Sequence, residues 1–412
     1  MLTTKQNITK KSKKSTFRKI SEWLHLWLGL TSGVIVFIVC LTGGIWTWRY
    51  ETWYFTEPYQ RVTALDKPYL IPSEIEKKVQ DYFDKKGLKD AEITGINYGK
   101  PGKSALIFYH PDSLKFAQLY VNPYTAEILQ DKSEAATAEK FFIFIRAGHR
   151  FLWLPQKIGS PIVGAACIIF VITMITGLIW WFPLKWTKKT REKSFKVKWS
   201  ASWKRLNIDL HNVFGFYSLL FVMLLTITGI MFTFRWFEHG VFRTLTWRAP
   251  AEKSYDPPTS DTITTVDTHS VNIEDKIWER THQKYGDRYG KISIDFPEKS
   301  NDSYQVMVQF GDGTLIYNNA VHYFDKISGK ELLSKGERAR PYSSLSLGEK
   351  IYRMDFDIHT GQILGLPTKI IAFIACIIGA SLPITGFIIW YNRKWGKRNK
   401  KVYRKSQVDG AE

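Results

Sequence analysis

Four stretches of the chain carry no Asp, Glu, Lys or Arg: residues 23–48, 158–184, 210–234 and 370–392. Each exceeds the roughly 20 residues an α-helix needs to cross a hydrocarbon core, so four membrane-spanning helices are expected. Between them the pattern changes. Ser73 to Lys86 sets Ile75, Val79, Tyr82 and Phe83 at helical spacing, and Ile273 to Tyr285 behaves in the same way. Downstream of each, residues 120–129 (YVNPYTAEIL) and 323–332 (YFDKISGKEL) read as a strand, a turn and a second strand.

A chain of 412 residues with mean hydropathy −0.20 would pass for two or three soluble domains, but polar segments dilute the average. The net charge of +20 is concentrated in three short segments. Residues 1–22 carry 7 basic side chains against one acid, residues 185–205 carry 9 against one, and residues 392–412 carry 8 against two. The rest of the chain balances at 34 against 34. Basic excess confined to the flanks of apolar runs is the positive-inside asymmetry, so both termini and the 185–206 loop are expected on the cytoplasmic side. The same charge would meet lipid headgroups, and a nucleic-acid partner is not expected.

The expected order is therefore a basic tail (1–22), helix 1 (23–48), an exported segment (49–148) and helix 2 with a preceding interfacial turn (149–184). A basic loop (185–206), helix 3 (207–234), a second exported segment (235–357), helix 4 (358–392) and a basic tail (393–412) follow. The first apolar run is too long for a signal-peptide core and lacks an Ala-x-Ala-like cleavage site, so it is expected to stay as an anchor. Cys40, Cys167 and Cys376 all fall within the spans, which leaves the exported segments no disulfide.

The chain repeats itself. At a constant offset of 186, His25, Gly29, Ser32, Thr42 and Gly43 match His211, Gly215, Ser218, Thr228 and Gly229. Leu154-Pro155-x-Lys157-Ile158 answers Leu366-Pro367-x-Lys369-Ile370, and Thr176-Gly177 answers Thr385-Gly386. With the two strand–turn–strand echoes, this implies an internally duplicated unit of helix, small α+β domain and helix, hence a membrane protein with a four-helix bundle and two exported α+β domains.

These motifs, with HRFLWLP at residues 149–155 and DIHTGQILGLP at 357–367, resemble the PepSY-associated transmembrane family over about Phe17 to Trp395. Members include bacterial inner-membrane reductases of ferric siderophores that are haem proteins. The resemblance implies two PepSY-like exported domains, haem and a ferric-siderophore substrate.

Topology sorts the nine histidines. His25 and His211 begin helices that start inside, whereas His149 and His359 precede helices that start outside. His110, His269, His282 and His322 lie in the exported segments, and His239 follows helix 3. One imidazole from each of two helices at equal depth suits a haem iron held between them, and two axial histidines favour electron transfer over oxygen binding. Two non-covalent b-type haems are expected, an inner one on His25 and His211 and an outer one on His149 and His359, with His239 a rival outer ligand. No C-x-x-C-H for covalent attachment occurs. Gly29, Ser32, Gly215 and Ser218 lie at i+4 and i+7 on each histidine's own face, where small side chains would leave room for a porphyrin. The plainer reading, an interfacial histidine as polar anchor above a small-residue packing stripe, gives no reason for the whole pattern to recur. The Thr-Gly pairs read as packing or helix-end features, and Trp46, Trp48, Trp180, Trp181, Trp236 and Trp390 as an interfacial aromatic belt.

No G-x-x-x-x-G-K-[ST], strand-linked G-x-G-x-x-G, H-E-x-x-H or G-x-S-x-G occurs. The electron donor is therefore expected to be separate, a cytoplasmic flavoprotein or a membrane quinol. The expected function is electron transfer across the membrane to a periplasmic ferric siderophore, with release of Fe(II). Its rivals are a non-enzymatic membrane sensor or scaffold that binds a periplasmic protein, and a haem electron carrier of another pathway.

Overall fold

The computed structural model describes residues 15–112, 115–133, 137–250, 257–260, 272–334 and 340–396. In chain order these form α1 (Thr16–Thr47), α2 (Arg49–Thr56), α3 (Pro72–Lys86), β1 (Glu92–Gly99), β2 (Ala105–His110), β3 (Ala117–Val121) and β4 (Ile128–Lys132). Next come α4 (Thr137–Phe151), α5 (Gln156–Trp181), α6 (Lys188–Phe195), α7 (Trp203–Met231), α8 (Arg235–Thr246) and α9 (Ile273–Tyr285). The strands β5 (Tyr289–Asp295), β6 (Tyr304–Phe310), β7 (Asn319–Phe324) and β8 (Glu331–Leu332) follow, then α10 (Leu347–Arg353), α11 (Asp355–His359) and α12 (Leu366–Lys394). The chain divides into two compact units, one of Met1–Ile45, Arg146–Phe234 and Ile370–Glu412, the other of Trp46–Ile145 and Arg235–Lys369.

The first unit is built on α1, α5, α7 and α12, the four described helices long and apolar enough to cross a membrane. Helix α1 begins at Thr16 rather than Trp23, because Arg18 and Glu22 pair one turn apart and extend it below the apolar run. Small residues bring α1 and α12 together: an ideal Cβ at Gly33 would lie 3.3 Å from Pro383, and one at Gly44 3.3 Å from Cys376. Val36, Phe170, Met174, Val222 and Ala375 fill the middle of the bundle.

The entry to α5 is a corner. His149 and Arg150 close α4, Leu152 and Trp153 turn with φ of 56° and 58°, and Pro155 starts the next helix. The Trp153 ring lies against Gly148, where a Cβ would come within 2.3 Å of Cζ2, so only glycine admits the fold-back. His149 therefore sits on the last turn of a separate helix, α4, rather than in the interfacial turn the sequence suggested.

In the second unit the eight strands form one antiparallel sheet in the order β4-β3-β2-β1-β5-β6-β7-β8. Alternation within the strands sends Ile96, Tyr98, Ile107, Tyr109, Ile292, Ile294, Val306 and Val308 to one face, where α3 and α9 supply Ile75, Val79, Phe83, Ile277 and Trp278 to the same buried cluster. Each such side chain contributes on the order of 1.5–3 kcal/mol. Ser73 ties the two helices together, its amide and hydroxyl both donating to the Asp275 carboxylate at 2.9 and 2.5 Å. The sequence suggested two separate α+β domains, whereas the segments meet in a single sheet through the β1–β5 ladder, with Asn97 opposite Ser293 at its middle. Neither half, a four-stranded meander with one helix, covers its central edge strand alone, and pairing β1 with β5 satisfies both edges.

Candidate functional site

His25 of α1 and His211 of α7 meet in the bundle, with ring centroids 6.2 Å apart and planes inclined at 81°. The His25 Nδ1 lies 2.9 Å from the Thr173 carbonyl of α5, an acceptor only, so Nδ1 carries the proton. The His211 Nδ1 lies 2.9 Å from the Thr385 hydroxyl of α12. That hydroxyl already donates to the Ser381 carbonyl at 2.9 Å, so it accepts from His211. Both rings are thereby fixed in the same tautomer, with an Nε2 lone pair that has no hydrogen-bond partner among the described residues. A metal-ligating histidine is ordinarily oriented in this manner by its second nitrogen.

Glycines of the Thr-Gly pairs make the seats. A Cβ at Gly177 would stand 2.8 Å from His25 Cε1 and 3.0 Å from Nδ1, and one at Gly386 3.3 Å from His211 Cε1. A Cβ at Gly43 would stand 2.9 Å from Cε1 of His149, whose Nδ1 donates to the Val39 carbonyl at 2.9 Å. Three Thr-Gly pairs thus receive three histidines, each from a different helix. The sequence suggested packing or helix-end features for these pairs, and their glycines prove to be where imidazole edges rest. Asn207, one turn before His211 and 2% exposed, was also missed: its Nδ2 donates to the Thr385 carbonyl at 3.0 Å, so α7 grips the same residue of α12 twice. Its offset partner is Ser21, also buried, one turn before His25.

Gly29 and Gly215 face neighbouring helices, with ideal Cβ positions 3.6 Å from Thr173 and 3.5 Å from Leu382. Ser32 and Ser218 are buried, the former bonded to the Leu28 carbonyl, the latter with an unpartnered hydroxyl oxygen. Trp180 stands edge-on to His25 at 5.4 Å, and the exposed Arg393 guanidinium lies 5.2 Å from the centre of the same indole. Trp180 is therefore a neighbour of the histidine pair and not only a member of an aromatic belt.

The other two histidines are divided between the units. His149 belongs to the bundle unit, whereas His359 ends α11 in the sheet unit, as does the exposed His239 on α8. Lys369, in the second Leu-Pro-x-Lys motif, is 6% exposed and bonded to Glu51. His269 lies outside the described residues.

The fit to haem can be tested on the first pair. Two imidazoles on opposite sides of one metal, with metal–nitrogen bonds of about 2 Å, hold their ring centres about 6 Å apart. His25 and His211 have that separation, with matched tautomers and Nε2 left over. Among the described residues no group of three or more His, Cys, Asp or Glu could hold a metal ion, so any metal here takes its remaining ligands from elsewhere, as iron does from a porphyrin.

Four spanning helices and a sheet unit define a multi-pass membrane protein with a helix bundle and a sheet domain. The family model described as the PepSY-associated TM region matches residues 22–393, and the chain belongs to that family. A comparison with curated proteins finds no match.

Proposed function

We propose that the chain is a haem-containing reductase of a bacterial inner membrane, both termini cytoplasmic, that delivers electrons to a ferric siderophore in the periplasm. The observation that carries this reading is the His25–His211 pair, 6.2 Å apart and fixed by Thr173 and Thr385 in one tautomer. Bound haem would supply one-electron chemistry, and a hard-oxygen chelate that holds Fe(III) far more tightly than Fe(II) would release its metal on reduction. The chain's own part is to position. Thr173 and Thr385 orient the two imidazoles by accepting from Nδ1, Gly177 and Gly386 seat them, and α1, α5, α7 and α12 enclose them. His149 and His359 are assigned a second haem, and the donor is a separate flavoprotein or quinol.

Purified protein should be red and give a b-type pyridine haemochrome with two haems per chain. His25→Ala or His211→Ala should remove one low-spin haem and spare the other, and His149→Ala or His359→Ala the converse. Dithionite-reduced protein should be reoxidised anaerobically by a ferric siderophore, with Fe(II) appearing in a chelator in step. Colourless protein would return the chain to the sensor or scaffold reading. Red protein that stays reduced with every ferric chelate, yet passes electrons to a periplasmic protein, would make it a carrier of another pathway.

A further inference from the structure

Helices α8 and α10 pack as one clamped pair. Gly348 lets their backbones meet, since a Cβ there would come within 2.0 Å of the Leu245 carbonyl oxygen. Buried Phe242 stands edge-on to Tyr352 at 5.0 Å, and the Tyr352 hydroxyl donates to Glu238. Arg248 and Arg340 both bond to Glu349, which also accepts from the Ser346 amide at 2.9 Å and hydroxyl at 2.7 Å. The exposed side of the pair is of another character. Trp236, His239, Arg243 and Trp247 recur at helical spacing along α8, and Leu347 and Ile351 lie one turn apart on α10. Among the described residues Trp236 is 64%, Trp247 90% and Leu347 75% exposed. Trp247 has φ of 58°, a left-handed conformation that a bulky residue takes only where its surroundings impose it, so α8 ends with an indole held outward.

We propose that the exposed side of the α8–α10 pair is a lipid-binding surface, seated in the headgroup layer of the leaflet at which α7 ends. Connectivity places it there. The spanning helix α7 closes at Met231 and α8 opens at Arg235, so four residues of chain, at most about 14 Å, tie α8 to the end of a span. The bilayer is thus within reach by the chain's own course, which is true of no second protein. The side chains suit the same layer. An indole buries its body among acyl chains while its N–H stays near water, and a guanidinium bonds to phosphate. Arg235 and Arg243 are exposed, whereas the two acids of the pair, Glu238 and Glu349, are taken up by Tyr352 and by Arg248 and Arg340. The charge offered outward is therefore positive, matched to lipid phosphate, and Leu347 and Ile351 supply apolar surface for the acyl chains beneath. His239, three residues beyond Trp236 on the same side, is then a headgroup-level side chain. This surface is independent of haem and of the reductase reading.

The test is the surroundings of a nitroxide label on a single cysteine, Trp247→Cys or Leu347→Cys, both at exposed positions. The full-length protein carries Cys40→Ala, Cys167→Ala and Cys376→Ala, so that no other thiol is labelled, and is held in nanodiscs of phosphatidylethanolamine and phosphatidylglycerol. Ser300→Cys, in the exposed turn between β5 and β6, serves as the water reference. Molecular oxygen concentrates in the bilayer and a neutral nickel chelate in water, so the ratio of the two collision rates reports what surrounds each label. The ratio at positions 247 and 347 should exceed that at position 300 several-fold. A ratio at either position equal to the reference overturns the assignment. Dipolar broadening between labels on two copies, removed by dilution with unlabelled protein, would make this side an interface between copies and overturn it as well.

Discussion

Replacing Gly177 by alanine tests the histidine seat most directly. The new Cβ would stand 2.8 Å from His25 Cε1 and 3.0 Å from Nδ1, so ring and methyl must separate by several tenths of an ångström to reach ordinary contact. The ring is held from the same side by the Thr173 carbonyl, one turn earlier on α5, so it cannot retreat without stretching that 2.9 Å hydrogen bond. Overpacking of this kind costs about 1–3 kcal/mol, and a weakened hydrogen bond adds about 1 kcal/mol. Alanine in place of glycine within a helix returns about 1 kcal/mol, so a net loss of about 1–3 kcal/mol is expected. The cost falls on the position of one imidazole. The expected result is loss or spectral perturbation of one haem, read as a changed low-spin signal and fewer haems per chain, with a lowered unfolding temperature. Gly386→Ala, with its Cβ 3.3 Å from His211, should do the same more weakly. Gly177→Ala protein with unaltered haem content and spectrum would refute the seat.

Other outcomes follow from the same structure. Gly240→Ala, on exposed α8 with nothing within 4 Å of its ideal Cβ, should raise stability by about 0.5–1 kcal/mol in thermal unfolding without touching haem content, and a loss of haem there would contradict the seat argument. Glu76 is pushed up to about 7, first by burial and then by Glu274 and Asp275, so the stability it contributes is present below its ordinary value of 4.5 and lost as pH rises through 7. Glu76→Gln should therefore stabilise the protein at pH 8 by up to about 3 kcal/mol and leave it unchanged near pH 4, and an equal shift at both pH values would contradict this account. A reporter active only in the periplasm should be silent after Glu412 and active when inserted near Asp261, and the reverse pattern would invert the proposed direction of electron flow.

Much of the bundle was legible because membrane spans and depth pairing are one-dimensional signals. An apolar run has a length, charge flanks fix its direction, and His25 and His211 fall at equal positions in two such runs. The roles of Gly177 and Gly386 were not legible, since a glycine shows its purpose only when the ring opposite is known, and that ring comes from another helix. The partner of Lys369 was not legible for a related reason: Glu51 lies far away in sequence. In the sheet, the helices α3 and α9 and the turn-linked strands announced themselves by period and turn residues. The β1–β5 ladder did not, because pairing between Asn97 and Ser293 has no local signature, and so one sheet was read as two domains.

That ladder also constrains how the protein is made. Strands β1 to β4 leave the ribosome long before Tyr289, with both α5 and α7 synthesised in between. At a translation rate of about 5–20 residues per second, the central edge of the first half waits on the order of ten to thirty seconds for its mate. During that interval β1 offers an unpaired row of backbone donors and acceptors to any neighbouring chain, including the same segment of another nascent copy. Assembly of the sheet thus depends on timely insertion of the intervening helices, and a lesion that slows α5 or α7 should appear first as aggregation of the half-finished sheet rather than as a defect in the bundle.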